Sequence, residues 1–169
     1  FPYTTLFRSY FTAGMGYAVA AGNPKNVDEN DLCGLNVAVE TGTVEEEAIN
    51  KTAKQCKADG KKDITIQSSK QQTDATTAVV TGKADVFFAD SPVVGYAIAQ
   101  TDGQLEQLGE DFDEVPNAIA IKKGDSQTAE AVQKAMRKLM DDGTYTKILQ
   151  HWGVESGALD KAEINPAVE

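Results

Sequence analysis

Residues 36–58 read NVAVETGTVEEEAINKTAKQCKA, and this stretch decides the fold. NVAVE (residues 36–40) alternates polar and apolar side chains, which predicts a β-strand. A short turn follows, and then a helical pattern over residues 44–58. Thr43 and Glu46 have the spacing of a capping box, in which a threonine and a glutamate satisfy N–H groups at a helix start. The stretch therefore predicts one complete strand–turn–helix unit.

The same alternation of strands and helices continues on both sides of this unit. The other predicted strands are GYAVAA (16–21), ITIQ (64–67), ADVFFA (84–89), LEQL (105–108) and AIAIKK (118–123). The other predicted helices cover residues 71–81, 90–100, 127–142 and 144–152. This spacing is typical of an α/β protein with a mainly parallel sheet and flanking helices. Ligands of such sheets bind beyond the carboxyl ends of the strands, so the junctions after Glu40 and Ala89 are the candidate site.

The first junction contains Glu40, Gly42, Thr43 and Val44. A glycine lets the backbone come close to a ligand, and free N–H groups at the start of a helix can hold a carboxylate. Helix capping alone also accounts for Thr43.

The second junction contains Asp90, which directly follows a strongly apolar strand. Its carboxylate can pair with the ammonium group of a ligand. It can equally serve only as the cap of the helix that Ser91 and Pro92 open. Asp85, by contrast, is interpreted as a turn residue where the strand starts.

Composition excludes several classes of function. The chain has 169 residues, 41% of them hydrophobic, and a net charge of −10, which argues against a nucleic-acid groove or an anionic membrane surface. No apolar run approaches the roughly 18 residues of a membrane span. His151 is the only histidine, so no pair of histidines supports nucleophilic catalysis, and no cluster of cysteines and histidines indicates a metal. We expect neither a metal nor a cofactor.

Two cysteines, Cys33 and Cys56, flank the first predicted strand–helix unit. Those places can be adjacent in such a unit, so a disulfide and a pair of buried thiols both remain open. A bridge here would contribute on the order of 3 kcal/mol through the entropy of the unfolded chain.

The first nine residues, FPYTTLFRS, match the translation of a common short-read sequencing adapter residue for residue. We therefore expect Phe1–Ser9 to be foreign to the natural protein and leave them out of the fold argument. We also expect the natural protein to begin upstream of this stretch.

From Tyr10 onward, four motifs in order resemble the family-3 extracellular solute-binding proteins of amino-acid ABC transporters, especially the actinobacterial members. The motifs are YFTAGMGYAVAAGNP (10–24), DLCGLNVAVETGT (31–43), TGKADVFFADSPV (81–93) and DGTYTKILQHWGV (142–154). The resemblance implies a periplasmic-binding-protein-like fold of type II, in which two α/β lobes joined by two hinge strands close on an amino acid. It implies that residues 10–117 form a hinge strand and the complete lobe 2. Residues 118–169 would form the second hinge strand and the C-terminal part of lobe 1.

The resemblance also assigns roles to residues. Thr43 matches the threonine that binds the ligand carboxylate through its hydroxyl and amide. Val44 stands where the family often has a second threonine, so only its backbone amide can serve. Asp90 matches the aspartate that pairs with the α-ammonium group, and Glu40 a position that can approach the ligand side chain. Cys33 and Cys56 match a disulfide pair of the actinobacterial members.

The function implied is capture of a free amino acid outside the membrane and delivery to the permease subunits of an ABC transporter, without catalysis. The family implies a monomer outside the cell, anchored by a lipid to the outer face of the membrane. Two alternatives share the fold: a dehydratase of aromatic amino-acid biosynthesis and the sensor module of a receptor. Glu40 and the acidic charge favour a cationic or polar amino acid without identifying it.

Overall fold

The computed structural model describes residues 4–162, with side chains from Ser9 onward. The described residues fall into two compact units. Gly14–Asp113 form what we call the central unit. The described residues up to Ala13 and from Glu114 onward form the terminal unit.

A five-stranded sheet organises the chain. Its elements are β1 (Thr4–Ala20), β2 (Asn36–Glu40), α1 (Val44–Ala58), β3 (Thr65–Ser69), α2 (Gln72–Val80), β4 (Val86–Asp90), α3 (Ser91–Gln100) and β5 (Leu105–Lys122). The strand order is β3-β2-β4-β1-β5, and the chain of β1 and of β5 passes from one unit into the other. Strand β2 pairs in parallel with both β3 and β4, whereas β1 is antiparallel to β4. The predicted parallel arrangement is confirmed for the centre, and β1 makes the sheet mixed.

The two faces of the sheet carry separate apolar clusters in the central unit. Val86 and Phe88 of β4 pack in the cluster that contains Ile49 of α1. Phe87, between them in sequence, packs in the cluster formed with α2 and α3. Because side chains alternate along a strand, Asp90 is placed on the same face as Phe88, the face that α1 covers.

A disulfide ties the loop before β2 to the last turn of α1. Cys33 and Cys56 are bonded with their Cα atoms 5.7 Å apart, which confirms the pairing implied by the resemblance. Nearby, the buried Asp85 carboxylate accepts hydrogen bonds from the Lys25 ammonium and from the Asn36 N–H at 2.8 Å. Asp85 thus has a structural role at the start of β4, as its sequence position indicates.

The terminal unit contains two helices, α4 (Ser126–Asp141) and α5 (Thr144–Trp152), and a 3₁₀ turn at Glu155–Gly157. Its core includes Phe11 and Tyr145. The Tyr145 hydroxyl donates to the Tyr10 carbonyl oxygen and accepts from the Leu159 N–H, both at 2.9 Å. One buried phenol therefore links three segments that are distant in sequence.

Several strand boundaries differ from the sequence expectations. Residues 105–108 and 118–122 belong to the one long strand β5, which passes through Gly109 (φ +71°) and Asp113 (φ +53°), and Lys123 lies just beyond its end. Left-handed residues interrupt the alternation on which strand prediction depends, so the strand reads as two. Strand β3 begins one residue later than predicted and extends to Ser69, and β1 begins at Thr4.

The expectation about Phe1–Ser9 stays a prediction. Phe1–Tyr3 lie outside the described residues, and β1 includes the backbone of residues 4–9. Among the described residues, no helix combines the length and the apolar character needed to span a membrane.

Candidate functional site

The two predicted junctions lie side by side in the structure. Strands β2 and β4 are parallel neighbours in which Ala38 is opposite Phe87. Continuing that register by three residues sets Thr41 opposite Asp90. Both strands end at the same edge of the sheet, so Asp90 and the start of α1 lie at one end of the sheet in the central unit.

Thr43 is the N-cap of α1, as predicted. Its hydroxyl oxygen accepts from the Glu46 N–H at 3.2 Å, and the hydroxyl donates to the Glu40 carbonyl oxygen at 2.9 Å. The Glu46 carboxylate accepts from the Gly42 N–H at 2.7 Å, so the return bond of the capping box reaches one residue further back than expected. The Gly42 N–H, together with the Ser68 hydroxyl, holds the pKa of Glu46 below its usual range.

Gly42 has φ +83°, a conformation that favours glycine. A Cβ added there would have no atom within 4 Å, so the backbone conformation, and not close packing, accounts for the glycine. Val44, the first residue of α1, is also accessible to solvent, with 64% of its surface exposed. The first N–H groups of a helix have no partner within the helix, so the start of α1 faces solvent where an anion can approach.

Asp90 occupies the N-cap position of α3, but its side chain makes no capping hydrogen bond. Asp125 shows what a capping aspartate does in this chain. Its carboxylate accepts from the Thr128 N–H at 3.0 Å and from the Thr128 hydroxyl at 2.8 Å. Capping alone therefore does not account for Asp90, whose exposed carboxylate is available to a ligand.

Glu45 is the site residue that sequence reasoning did not identify. It lies in the first turn of α1 and is only 4% exposed. Burial raises the pKa of Glu45, and the charge and hydrogen bonding of the adjacent Asp90 carboxylate raise it further. The backbone N–H of Glu45 and the Thr43 hydroxyl act in the opposite direction. Its Oε1 atom is buried without a hydrogen-bond partner among residues 4–162.

One sequence signal could have identified Glu45. It precedes Ile49 by four residues, and Ile49 precedes Cys56 by seven, which sets all three on one face of α1. Those three are the buried residues of the helix.

Glu40 is half-buried at the end of β2. Strand alternation sets its side chain on the same face as Ala38, which belongs to the cluster opposite α1. The structure therefore brings Thr43 and Asp90 together but leaves Glu40 on the other face of the sheet. Its predicted approach to a ligand side chain stays a prediction.

The central unit also has a cavity whose lining includes none of the residues at these two junctions. It is a cavity of about 610 Å³ lined by acidic, aromatic and backbone groups: Tyr17, Glu29, Asn30, Gly109, Glu110, Asp111 and Phe112. Burial, followed by the charges of Glu29 and Asp113, raises the pKa of Tyr17 to about 12.

Comparison with known proteins gives consistent matches. Residues 5–155 match the bacterial extracellular solute-binding proteins, family 3. The arginine-binding protein ArgT of Corynebacterium glutamicum is 36% identical over 160 residues, which cover 94% of this chain and 52% of ArgT. The ABC transporter glutamine-binding protein GlnH of Bacillus subtilis is 26% identical over 149 residues, covering 88% of this chain and 51% of GlnH.

Solved structures show the same relationship. An ancestral cationic amino acid solute-binding protein, AncCDT-1, matches with a TM-score of 0.76 and 27% identity, over 90% of this chain and 63% of that one. Another structure of AncCDT-1, described as a precursor of cyclohexadienyl dehydratase, matches with a TM-score of 0.61 and 29% identity, over 86% of this chain and 60% of that one.

The matched relatives ArgT and GlnH are longer than this chain. The chain spans about half the length of ArgT and GlnH. The type II periplasmic-binding-protein-like fold expected from the sequence motifs is confirmed. The family match over most of the chain and the identity with ArgT show that this chain belongs to the family 3 bacterial extracellular solute-binding proteins.

Proposed function

We propose that this chain carries one side of an amino-acid binding site and serves in the extracellular binding component of an ABC importer. The protein captures a free amino acid and delivers it to the permease subunits without changing it. The names of ArgT and GlnH, which describe an arginine-binding and a glutamine-binding protein, support this proposal.

The juxtaposition of Asp90 with the start of α1 carries the proposal. An α-amino acid bears its carboxylate and its ammonium on one carbon atom, so it needs an anion site and a cation site only a few ångströms apart. The start of α1 at Thr43 supplies N–H donors, and Asp90 supplies a carboxylate at the end of the neighbouring parallel strand.

The carboxylate of the ligand would accept from the backbone N–H groups of Thr43 and Val44. The Gly42 N–H is engaged by Glu46, and the Thr43 hydroxyl donates to the Glu40 carbonyl. Binding through the hydroxyl of Thr43 would therefore require that hydrogen to turn away from Glu40. A valine in place of threonine at position 44 removes one hydroxyl but keeps the amide.

Asp90 would pair with the α-ammonium group. Its carboxylate is exposed and does not cap α3, so no capping bond has to break when a cation arrives. Hydrogen bonds with a charged partner contribute roughly 1.5–3 kcal/mol each, and we expect a contribution of this size from Asp90.

We propose a cationic amino acid as the ligand, with arginine as the first to test. ArgT and AncCDT-1 are described as binding arginine and cationic amino acids. The net charge of −10 also favours a cation over an anion.

The division into lobes remains part of the proposal. Residues 10–117 would be a hinge strand with lobe 2, and residues 118–169 the second hinge strand with the C-terminal part of lobe 1. The other half of the pocket would come from the rest of lobe 1. We further propose a monomer anchored by a lipid at the outer face of the membrane.

We propose that no reaction follows binding, although AncCDT-1 is described as a precursor of a dehydratase. A dehydratase needs an acid that reaches the leaving group. The buried acid at this site, Glu45, is only 4% exposed, which leaves it little access to a bound substrate. Turnover of a cyclohexadienyl carboxylate by the purified chain would overturn this part of the proposal.

A screen of the twenty amino acids against the ¹⁵N-labelled chain tests the proposed function. We expect arginine and lysine to shift the signals of the central unit at millimolar concentration. The matched control ligand is 5-guanidinopentanoate, which is arginine without its ammonium group, and we expect it to bind at least tenfold more weakly. Equal binding of the two compounds would contradict a zwitterion site.

A further inference from the structure

We propose that Glu45 is a proton-holding partner of Asp90, so that a ligand ammonium arriving at Asp90 releases one proton from the site. The inference rests on the proposed function of this junction and deepens it. It makes Glu45 a positioning residue that acts through Asp90, and it makes amino-acid capture dependent on pH.

The geometry places two carboxyl groups together with unequal surroundings. Asp90 is exposed at the end of β4, whereas Glu45 is 4% exposed beneath the first turn of α1. The Asp90 carboxylate lies within hydrogen-bonding reach of the Glu45 carboxyl group. Two adjacent carboxylates repel one another, and the one in the drier place retains its proton. Below the pH at which Glu45 titrates, the empty site therefore carries its proton on Glu45.

Glu45 also has the donors that it needs when it loses this proton. The backbone N–H of Glu45 and the Thr43 hydroxyl both lower the pKa of Glu45 and so favour its ionised form. To donate fully to Glu45, the Thr43 hydroxyl would have to turn away from the Glu40 carbonyl oxygen. The positive end of α1 favours an anion in the first turn. Its Oε1 atom, which has no partner among the described residues, can accept a further hydrogen bond. Both protonation states are thus accessible at this position.

The surrounding charges leave Asp90 as the group that couples to Glu45. Helix α1 packs against β2, β3 and β4. Strand β4 contributes Asp90, β2 contributes Glu40 at its last position, and the sequence of β3 has no titratable side chain. Within α1, Glu46 is engaged in its own hydrogen bonds and Glu47 is exposed. Asp90 is the charged side chain that raises the pKa of Glu45.

The proposed binding step conserves both protons and charge. Before binding, the site holds a Glu45 carboxylic acid and an Asp90 carboxylate, with one negative charge in total. A ligand ammonium adds one positive charge beside the pair, which favours the ionised form of a neighbouring acid. Glu45 then loses its proton to bulk water, and the ammonium is shared electrostatically by two carboxylates.

Carboxyl-detected ¹³C NMR titration of the 169-residue chain measures this directly. We expect the Glu45 side chain to titrate above the usual range of glutamate, with the exposed Glu47 as internal reference. Asp90→Asn should shift the Glu45 titration to lower pH. Saturating L-arginine should shift it to lower pH in the native sequence, and 5-guanidinopentanoate should leave it unchanged.

The pH dependence of L-arginine affinity is the second readout, measured from about pH 4.5 to 8. For one released proton, affinity should rise by up to about tenfold per pH unit below the Glu45 titration and then level off. Glu45→Gln keeps the shape and the hydrogen bond to Asp90 but has no proton to lose, so its profile should be flat.

The outcomes separate this inference from the proposed function. If arginine binds and depends on Asp90, but the Glu45 titration does not move and the Glu45→Gln profile matches the native one, proton coupling is wrong and the binding site stands. If arginine does not bind, or binds equally well after Asp90→Asn, the proposed function fails and the inference fails with it.

Discussion

At the scale of single residues, the site depends on two carboxyl groups that differ in burial. Asp90 is exposed and makes no capping bond, while Glu45 is buried beside it with an unpartnered oxygen among the described residues. Because Asp90 is exposed and caps no helix, it can take up a cation without the loss of a capping bond. A buried carboxyl group next to it controls how much negative charge the site holds.

The first prediction separates binding from capping at Asp90. Asp90→Asn should weaken L-arginine binding at least tenfold, because it removes a charge-assisted bond of roughly 1.5–3 kcal/mol. The thermal midpoint of the ligand-free protein should change little, since Asp90 does not cap α3. NMR titration gives the affinity, and calorimetry gives the midpoint.

Asp125→Ala is the matched control, because Asp125 does cap a helix through both of its bonds to Thr128. This variant should lower the thermal midpoint and leave arginine affinity unchanged. Asparagine caps a helix about as well as aspartate does, so unchanged arginine affinity of Asp90→Asn would remove Asp90 from the site.

The second prediction concerns Tyr17, whose pKa is raised to about 12, mainly by burial. The fold favours the neutral phenol, so this stabilisation is present below about pH 10 and is lost as the pH rises through 12. The free energy of unfolding should fall by on the order of 2 kcal/mol over that range. Urea unfolding at several alkaline pH values measures this fall.

Tyr17→Phe provides the comparison for that experiment. Phenylalanine keeps the ring contacts with Phe88 and Phe112, whose centroids lie 4.6 and 5.2 Å from that of Tyr17. The variant should lose stability less steeply above pH 10. Identical alkaline profiles for the two proteins would show that Tyr17 is not a buried phenol.

Individual site residues were predictable to different degrees. Thr43 and Asp90 were identified because each follows a strand and opens a helix, a purely local pattern. Glu45 was not, because its burial depends on how α1 lies against β4, which is a tertiary contact. The missing cap at Asp90 was equally invisible, since the sequence there fits a capping aspartate.

At the scale of secondary-structure elements, the unit formed by β2 and α1 is the most local part of the fold. Its strand and helix have the bounds that the sequence predicts, residues 36–40 and 44–58. The disulfide between Cys33 and Cys56 closes this unit. The disulfide therefore fixes the last turn of α1 to the loop before β2.

The third prediction is that loss of this disulfide destabilises the fold. The double variant Cys33→Ala/Cys56→Ala should lower the free energy of unfolding by about 3 kcal/mol, because the unfolded chain regains the entropy of an open loop. Urea unfolding measures the change. Intact-mass analysis after alkylation checks the premise, and two alkylated thiols in oxidised native protein would contradict it.

Longer elements were predicted less well for a physical reason. Strand β5 covers residues 105–122, yet the left-handed residues Gly109 and Asp113 interrupt its pattern. In the sheet β5 lies next to β1, a tertiary pairing that the local sequence does not reveal. The antiparallel direction of β1 is likewise set by pairing with β4, which no local pattern in its sequence reveals.

At the scale of the whole molecule, the chain spans about half the length of ArgT and GlnH. In our proposal, the remaining half of the pocket belongs to the rest of lobe 1.

The fourth prediction is that this 169-residue chain binds arginine only at millimolar concentration or more weakly, since several charge-assisted bonds are missing. Micromolar binding measured by calorimetry would contradict the proposed division of the site.

The fifth prediction is that the chain self-associates as its concentration rises. Large apolar side chains are exposed in the terminal unit: Val115 at 58%, Trp152 at 49% and Ile148 at 48%. Exposed apolar surface of this kind favours association. Sedimentation velocity over a range of concentrations should show a rising mean mass. A constant monomer mass would show that these side chains do not mediate self-association.

Chemical-shift mapping of the ¹⁵N-labelled chain with L-arginine tests the central claim most directly. We expect the backbone signals of Thr43, Val44 and Asp90 to shift together along one binding curve. We expect Asp90→Asn to abolish these shifts. Signals that line the acidic cavity, such as Glu29 and Gly109, should stay in place. Shifts confined to that cavity, with none at Thr43 and Asp90, would contradict the proposed site.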